Sequence, residues 1–173
     1  LLAEAGYTAS DPLRLTYKTS TDPFRLRIAH VFQQQLAEVG IELKVQSYDW
    51  GTFFGDIKAG RFQMYSLAWV GVNTPDILRY AFHSDSVPPN GANRGGYRSA
   101  RVDDLIEQAE QLPAAQAAPL YRQAQQLIHD DLVYVPLWTE ANVAASRAPT
   151  VFRPSFDGSY LALRDIGGRR GQH

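Results

Sequence analysis

The residues of this chain that could do chemistry are carboxylates, histidines beside carboxylates, and large aromatics. Asp103 and Asp104 are adjacent, but they stand in what reads as the first turn of a helix, where acids complement the helix dipole without further duty. His83-Ser84-Asp85 and His129-Asp130-Asp131 could each offer two ligand atoms to a metal. Neither has the His-x-x-x-His spacing that sets two imidazoles on one helical face, so no metal site is expected. His30 falls between helical positions that face the core and reads as a hydrogen-bonded structural histidine. Asp49 and Asp76 both open helices, and they would be the acid or base if the chain were a small α/β enzyme. Nothing supports them: there is no Gly-x-Ser-x-Gly elbow, no phosphate-binding Gly-x-x-x-x-Gly-Lys loop and no Gly-x-Gly-x-x-Gly after a strand. The glycines at 91–96 follow a loop, so no cofactor is implied. Tyr48, Trp50 and Trp69 are the stronger signal, because large aromatics with one polar edge suit the wall of a small-molecule or peptide pocket.

Composition removes other functions. Seventeen basic residues face eighteen acidic ones, for a net charge of −1, so no field favours nucleic acid or an anionic membrane. The longest apolar runs, such as 132–138, are too short to span a bilayer. The absence of cysteine removes disulfides, thiolate metal sites and cysteine nucleophiles together. At 173 residues the chain is sized for one domain with its own core. Its single methionine is Met64, and Leu1 to Gly6 read as the last turns of a helix, so a fragment or processed product is expected.

These residues need elements to position them. Leu13 to Tyr17 alternate as a half-buried strand does, and Asp22-Pro23 then supply an N-cap and a first-turn proline. Phe24, Ile28, Val31, Phe32, Leu36 and Val39 recur at helical spacing up to Gly40. Ile41 to Val45 alternate again, and Asp49 caps a second helix with Trp50, Phe53, Phe54 and Ile57 on its apolar face. Residues 62–69 read as a third, buried strand. The pattern is βαβαβ, and right-handed crossovers make the strands parallel. Helices follow at 74–82, from Ser99 to Pro113, and over Ala117 to Ile128, with a long loop at 83–97. Strands are expected at 132–138 and 161–163, and a disordered tail at 167–173 that includes His173.

Ligands of parallel sheets lie beyond the carboxyl ends of the strands. Residues 18–22, 48–50 and 69–75 fall there, each opening a helix whose free N–H groups favour anionic or carbonyl groups. Trp50 also belongs to an apolar helix face, so it reads equally as core or as pocket wall, whereas Trp69 runs into a turn.

The order and spacing of several segments resemble family 5 extracellular solute-binding proteins of ABC importers. They are the run from Phe32 through Gly40-Ile41 to Leu43, Tyr48-Asp49-Trp50 with Phe53, Gly60-Arg61-Phe62, Ala68-Trp69-Val70-Gly71, Asn93 to Ser99, and Pro136-Leu137-Trp138. The resemblance spans residues 1–166 and implies an α/β lobe of type II periplasmic-binding-protein fold, the C-terminal one of two that close on a ligand. It further implies an N-terminal lobe, a membrane permease as partner, a periplasmic or extracellular location, and no catalysis. The ligand-binding positions it implies are Trp50, Trp69, Gly71 and Val72 in the cleft and Asn93 near it, to which the strand-end positions add Tyr48 and Asn73. Where peptide binders carry an aspartate for the ligand's ammonium group, this chain has Val72.

Overall fold

The computed structural model describes residues 1–139, 141, 143 and 155. They group into two compact units, one of residues 1–67 and 80–100, the other of residues 68–79 and those from 101 onward.

In the first unit, strand β1 (Leu13–Ser20) pairs in parallel with β2 (Ile41–Tyr48) on one side and β3 (Met64–Tyr65) on the other, giving the order β2-β1-β3. The β1–β2 ladder runs in register from Leu13 opposite Ile41 to Ser20 opposite Tyr48. Helix α1 (Pro23–Glu38) makes the crossover, with its start fixed by Asp22, whose carboxylate accepts the Arg25 N–H at 2.9 Å. Tyr17, Ala29 and Leu43 form a buried cluster against which Phe32, Leu36, Val45 and Met64 pack. The buried face of α1 is therefore turned from the expected one. Phe24, Val31 and Val39 are exposed, because the stripe through Ala29, Phe32 and Leu36 is the one that meets the sheet.

Helix α2 (Trp50–Lys58) buries Phe53 and Ile57 completely, while Trp50 is 52 % exposed. It ends in a left-handed glycine, Gly60 at φ 72°, with Arg61 N–H on the Asp56 carbonyl at 2.9 Å and Gly60 N–H on that of Ile57 at 3.2 Å. The same closure recurs at the N-terminus, where Tyr7 and Gly6 bond back to Leu2 and Ala3.

The third strand is shorter than its apolar run suggested. Only Met64 and Tyr65 pair with β1. Around them side chains replace the backbone ladder: Gln63 Oε1 accepts the Thr16 N–H at 2.7 Å, and Tyr17 donates its hydroxyl to Ser66 at 2.6 Å. Beyond Tyr65 the chain is irregular, and Val70 is 84 % exposed.

The loop at 83–97 is braced internally. Ala92 N–H bonds to the Tyr80 carbonyl at 2.8 Å and Asn93 N–H to that of Ser86 at 2.9 Å. Gly91 passes so near Ser86 that a Cβ there would stand 2.6 Å from its atoms.

Helix α3 (Asp76–Phe82) contains the boundary between the units. In the second unit, α4 (Ala100–Glu110) buries Val102, Leu105, Ile106 and Ala109, the stripe expected from their spacing, and Arg79 ties to Glu110 at 2.6 Å. Helix α5 (Ala114–Asp130) buries Ala117, Ala124 and Ile128 and carries Pro119 within its run. The strand expected at 132–138 does not form. Leu132 takes a left-handed turn (φ 52°), and Val135, Leu137 and Trp138 are exposed with no neighbouring strand to pair with among the described residues. The segments at 161–163 and 167–173 lie outside the described residues.

Phe53→Ala empties a site with no exposure, and the loss should be about 3–5 kcal/mol of folding stability in a urea titration. A loss under about 1 kcal/mol would show that the α2 face is not core.

Candidate functional site

β1 and β2 end side by side, and the pairing continues one step into the turn, where Thr21 N–H bonds to the Tyr48 carbonyl at 3.0 Å. Each strand passes at once into a helix, through Asp22 and Asp49. Ser20, Thr21, Asp22, Arg25 and Trp50 consequently line one open concavity of about 420 Å³ at the carboxyl ends of the strands.

Trp50 stands on an aromatic base. Its ring stacks on Phe54 at 5.5 Å and 7°, and meets Phe53 at 5.8 Å. The Arg25 guanidinium lies over the Trp50 ring at 5.7 Å, and that of Arg94 lies over Phe54 at 5.4 Å. Trp50 is thus held from below by core residues while half its surface stays open, which makes it a pocket wall more than a core residue.

Tyr48 is partly buried, with the Lys18 ammonium 5.4 Å from its ring centroid. Lys18 pairs with Asp56 at 2.6 Å, both side chains being largely shielded, and Asp56 also holds Arg61 at 2.7 Å. Asp56 therefore locks α2 to β1, and the helix closure at Gly60 delivers Arg61 to it. Hydrogen bonds from Lys18 and then Arg61 hold the Asp56 carboxyl below its usual range.

The helix starts offer fewer free donors than expected. Asp22 and Asp49 spend their carboxylates on the N–H groups of Arg25 and Thr52. Hydrogen bonds from Thr52 keep the Asp49 carboxyl below its usual range, so at neutral pH it is an ionised cap and a poor base. Asp76 accepts from Thr74 Oγ1 at 2.9 Å.

Asn93 is 2 % exposed and does not line the concavity. Its amide nitrogen donates to the carbonyls of His83 at 3.1 Å and Tyr97 at 2.7 Å, and its oxygen accepts from Tyr97 N–H at 2.9 Å. It clasps the loop. In the second unit Trp69 is 37 % and Val72 39 % exposed, Gly71 is left-handed at φ 71°, and Asn73 is exposed. His30, expected to be a hydrogen-bonded structural histidine, bonds to Gln33 at 3.3 Å and lies at an exposed position of α1. Among the described residues no cluster of three or more metal-ligating side chains occurs, and no helix is long and apolar enough to cross a membrane. The sequence reading missed Arg25, whose only signal was its place in the first turn of α1, beside the strand end.

Residues 1–88 match the family model described as bacterial extracellular solute-binding proteins, family 5 Middle. The chain belongs to the family 5 extracellular solute-binding proteins. It is similar to di/tripeptide-binding protein 2 of Pseudomonas aeruginosa, 32 % identical over 142 residues that cover 79 % of this chain and 26 % of that protein. It is also similar to the dipeptide-binding protein of Escherichia coli, 29 % identical with 75 % and 25 % covered. Among solved structures, the periplasmic binding protein DppA from Helicobacter pylori in complex with the peptide STSA superposes with a TM-score of 0.67 at 28 % identity, covering 79 % of this chain and 27 % of that one. OppA of Burkholderia pseudomallei gives 0.70 at 24 % identity, covering 79 % and 27 %. The fold is thus the α/β type of periplasmic peptide-binding proteins, and the chain spans about a quarter of the length of these relatives. The family consists of solute binders and not of enzymes, which removes the acid–base reading of Asp49 and Asp76.

A carboxyl held below its ordinary value in the fold stabilises above that ordinary value and loses the contribution as pH falls through the folded one. Asp56→Asn should therefore destabilise the chain at neutral pH, with the difference shrinking below pH ~4. Urea titrations of both proteins across that range check this. A difference that does not change with pH would remove the ion pair as its cause.

Proposed function

We propose that residues 1–166 form the C-terminal lobe of a two-lobed solute-binding protein of an ABC importer. It captures a peptide or other small solute between its lobes, outside the cytoplasm in the periplasm or at the cell exterior, and delivers it to a membrane permease. The observation that carries this reading is the open concavity at the carboxyl ends of β1 and β2, walled by the half-exposed Trp50, in a chain of this family. Relatives named for di- and tripeptides or dipeptides support a peptide-like solute.

Tyr48 and Trp50 contribute to the ligand wall from the first unit, and Trp69, Gly71, Val72 and Asn73 from the second. Asn93 acts through the loop it clasps, without touching the ligand. In the two-lobed protein, Trp50→Ala should weaken solute binding by roughly 1–3 kcal/mol, because a large aromatic contact is lost. It should barely move the melting temperature, since the ring is 52 % exposed. Isothermal calorimetry and a thermal scan separate the two effects, and a large melting shift with unchanged affinity would make Trp50 a core residue.

Val72 sets a chemical limit on the ligand. A desolvated ammonium needs a carboxylate partner, and valine offers only apolar contact. The part of the ligand nearest Val72 is therefore neutral or apolar. Matched peptides with a free or an acetylated amine should bind the two-lobed protein alike, and Val72→Asp should create a preference for the free amine. A loss of more than about tenfold on acetylation, ~1.4 kcal/mol, would place an acid elsewhere against the amine.

A further inference from the structure

The concavity beside Trp50 is lined by one cation, Arg25, and one acid, Asp22, with no ion pair between them. Among the described residues the Arg25 guanidinium has one hydrogen bond, Nη1 on the Ser66 carbonyl at a long 3.4 Å, and it lies over Trp50. No carboxylate of the described residues comes within 4.0 Å of it; exposed Arg27 and Lys44 also hold no acid, and what sets Arg25 apart is its place in the wall of the concavity against Trp50. Asp22 shares the same wall, but its Oδ1 accepts Arg25's own backbone N–H, so that acid serves the helix start and not the guanidinium. Guanidinium presents five N–H donors in a planar fork, and its contact with an aromatic face leaves that fork free to take two oxygens.

Resting on the solute-binding reading above, we propose that Arg25 is a specificity-determining residue that binds a carboxylate of the solute in the concavity of Ser20, Thr21, Asp22, Arg25 and Trp50. The Trp50 ring holds the guanidinium in place. Ser20 and Thr21 line the same concavity and bring hydroxyls that can donate to the remaining oxygen lone pairs. The helix caps consume the N–H groups of Arg25 and Thr52 at the two helix starts, so the attraction for an anion comes from this side chain.

The test is a competition read by native mass spectrometry on the two-lobed protein. The probe is an equimolar mixture of tripeptides of matched sequence with free or amidated C-termini. The parent should capture free-acid members at least about tenfold over their amides, as a charge-assisted bidentate contact implies. Arg25→Gln should bring the ratio near one, Arg25→Lys should keep part of it, and both should keep the parent's melting temperature. Capture of both classes equally by the parent overturns the role of Arg25 and leaves the solute-binding reading standing. A preference kept in full by Arg25→Gln also overturns it, since another cation then reads the carboxylate. Capture of no tripeptide by the parent overturns the peptide form of the solute-binding reading, and this inference with it.

Discussion

The eight-step parallel ladder between β1 and β2, extended by the Thr21 N–H on the Tyr48 carbonyl, is the constraint on which the site depends. Parallel strands deliver their carboxyl ends to the same edge, and here both chains turn into helices at that edge without a spacer. Arg25 and Trp50 come from opposite sides of the two turns, yet they meet because Ser20 and Tyr48 are opposite each other in the register. A slip of one residue would reverse the faces of β2 and separate the guanidinium from the indole. Several devices protect that register. Leu43 is buried against Tyr17 and Ala29, the Gln33 amide donates to the Leu43 carbonyl at 2.6 Å, and Arg14 reaches Glu42 across the ladder at 3.1 Å.

The shielded pair of Lys18 and Asp56 has a second task at the same place. It fixes α2 against β1, and it brings an ammonium to the ring of Tyr48, one residue before the helix start. Exposed ion pairs contribute little, but this one is largely hidden from solvent and joined to Arg61, so breaking it would leave a poorly solvated charge. The stack of Trp50 on Phe54, continuing to the fully buried Phe53, carries that rigidity outward to the wall of the concavity proposed for the solute. The indole's open half is therefore positioned in advance of binding, which lowers the ordering cost of capture.

Much of this was legible in the sequence because it rests on local rules. Asp22-Pro23 and Asp49 mark helix starts by their own capping chemistry, and Gly40 and Gly60 mark the ends through the left-handed backbone that closes a helix. Alternation in 13–17 and 41–45 found both long strands. Other features depend on neighbours that a local pattern cannot name. The segment 62–69 resembles a buried strand, yet β1 pairs only with Met64 and Tyr65 and is met on either side of them by the Gln63 and Ser66 side chains. The run at 132–138 has strand composition but pairs with no strand among the described residues. Pro119 sits inside α5 at the loss of one helical hydrogen bond, which the burial of Ala117, Ala124 and Ile128 outweighs. At the site, Trp50 was found from its place at a strand end. Arg25 went unnoticed because an arginine in a helix is ordinary until its neighbours, and its missing acid, are known.

The central claim is that solute is held at the carboxyl ends of β1 and β2. A crystal structure of the two-lobed protein with the solute that copurifies with it tests this most directly. Ligand atoms should lie in van der Waals contact with the open face of Trp50 and inside the concavity of Ser20, Thr21, Asp22 and Arg25. A ligand bound away from this edge, with Trp50 and Arg25 still exposed to solvent, would contradict it.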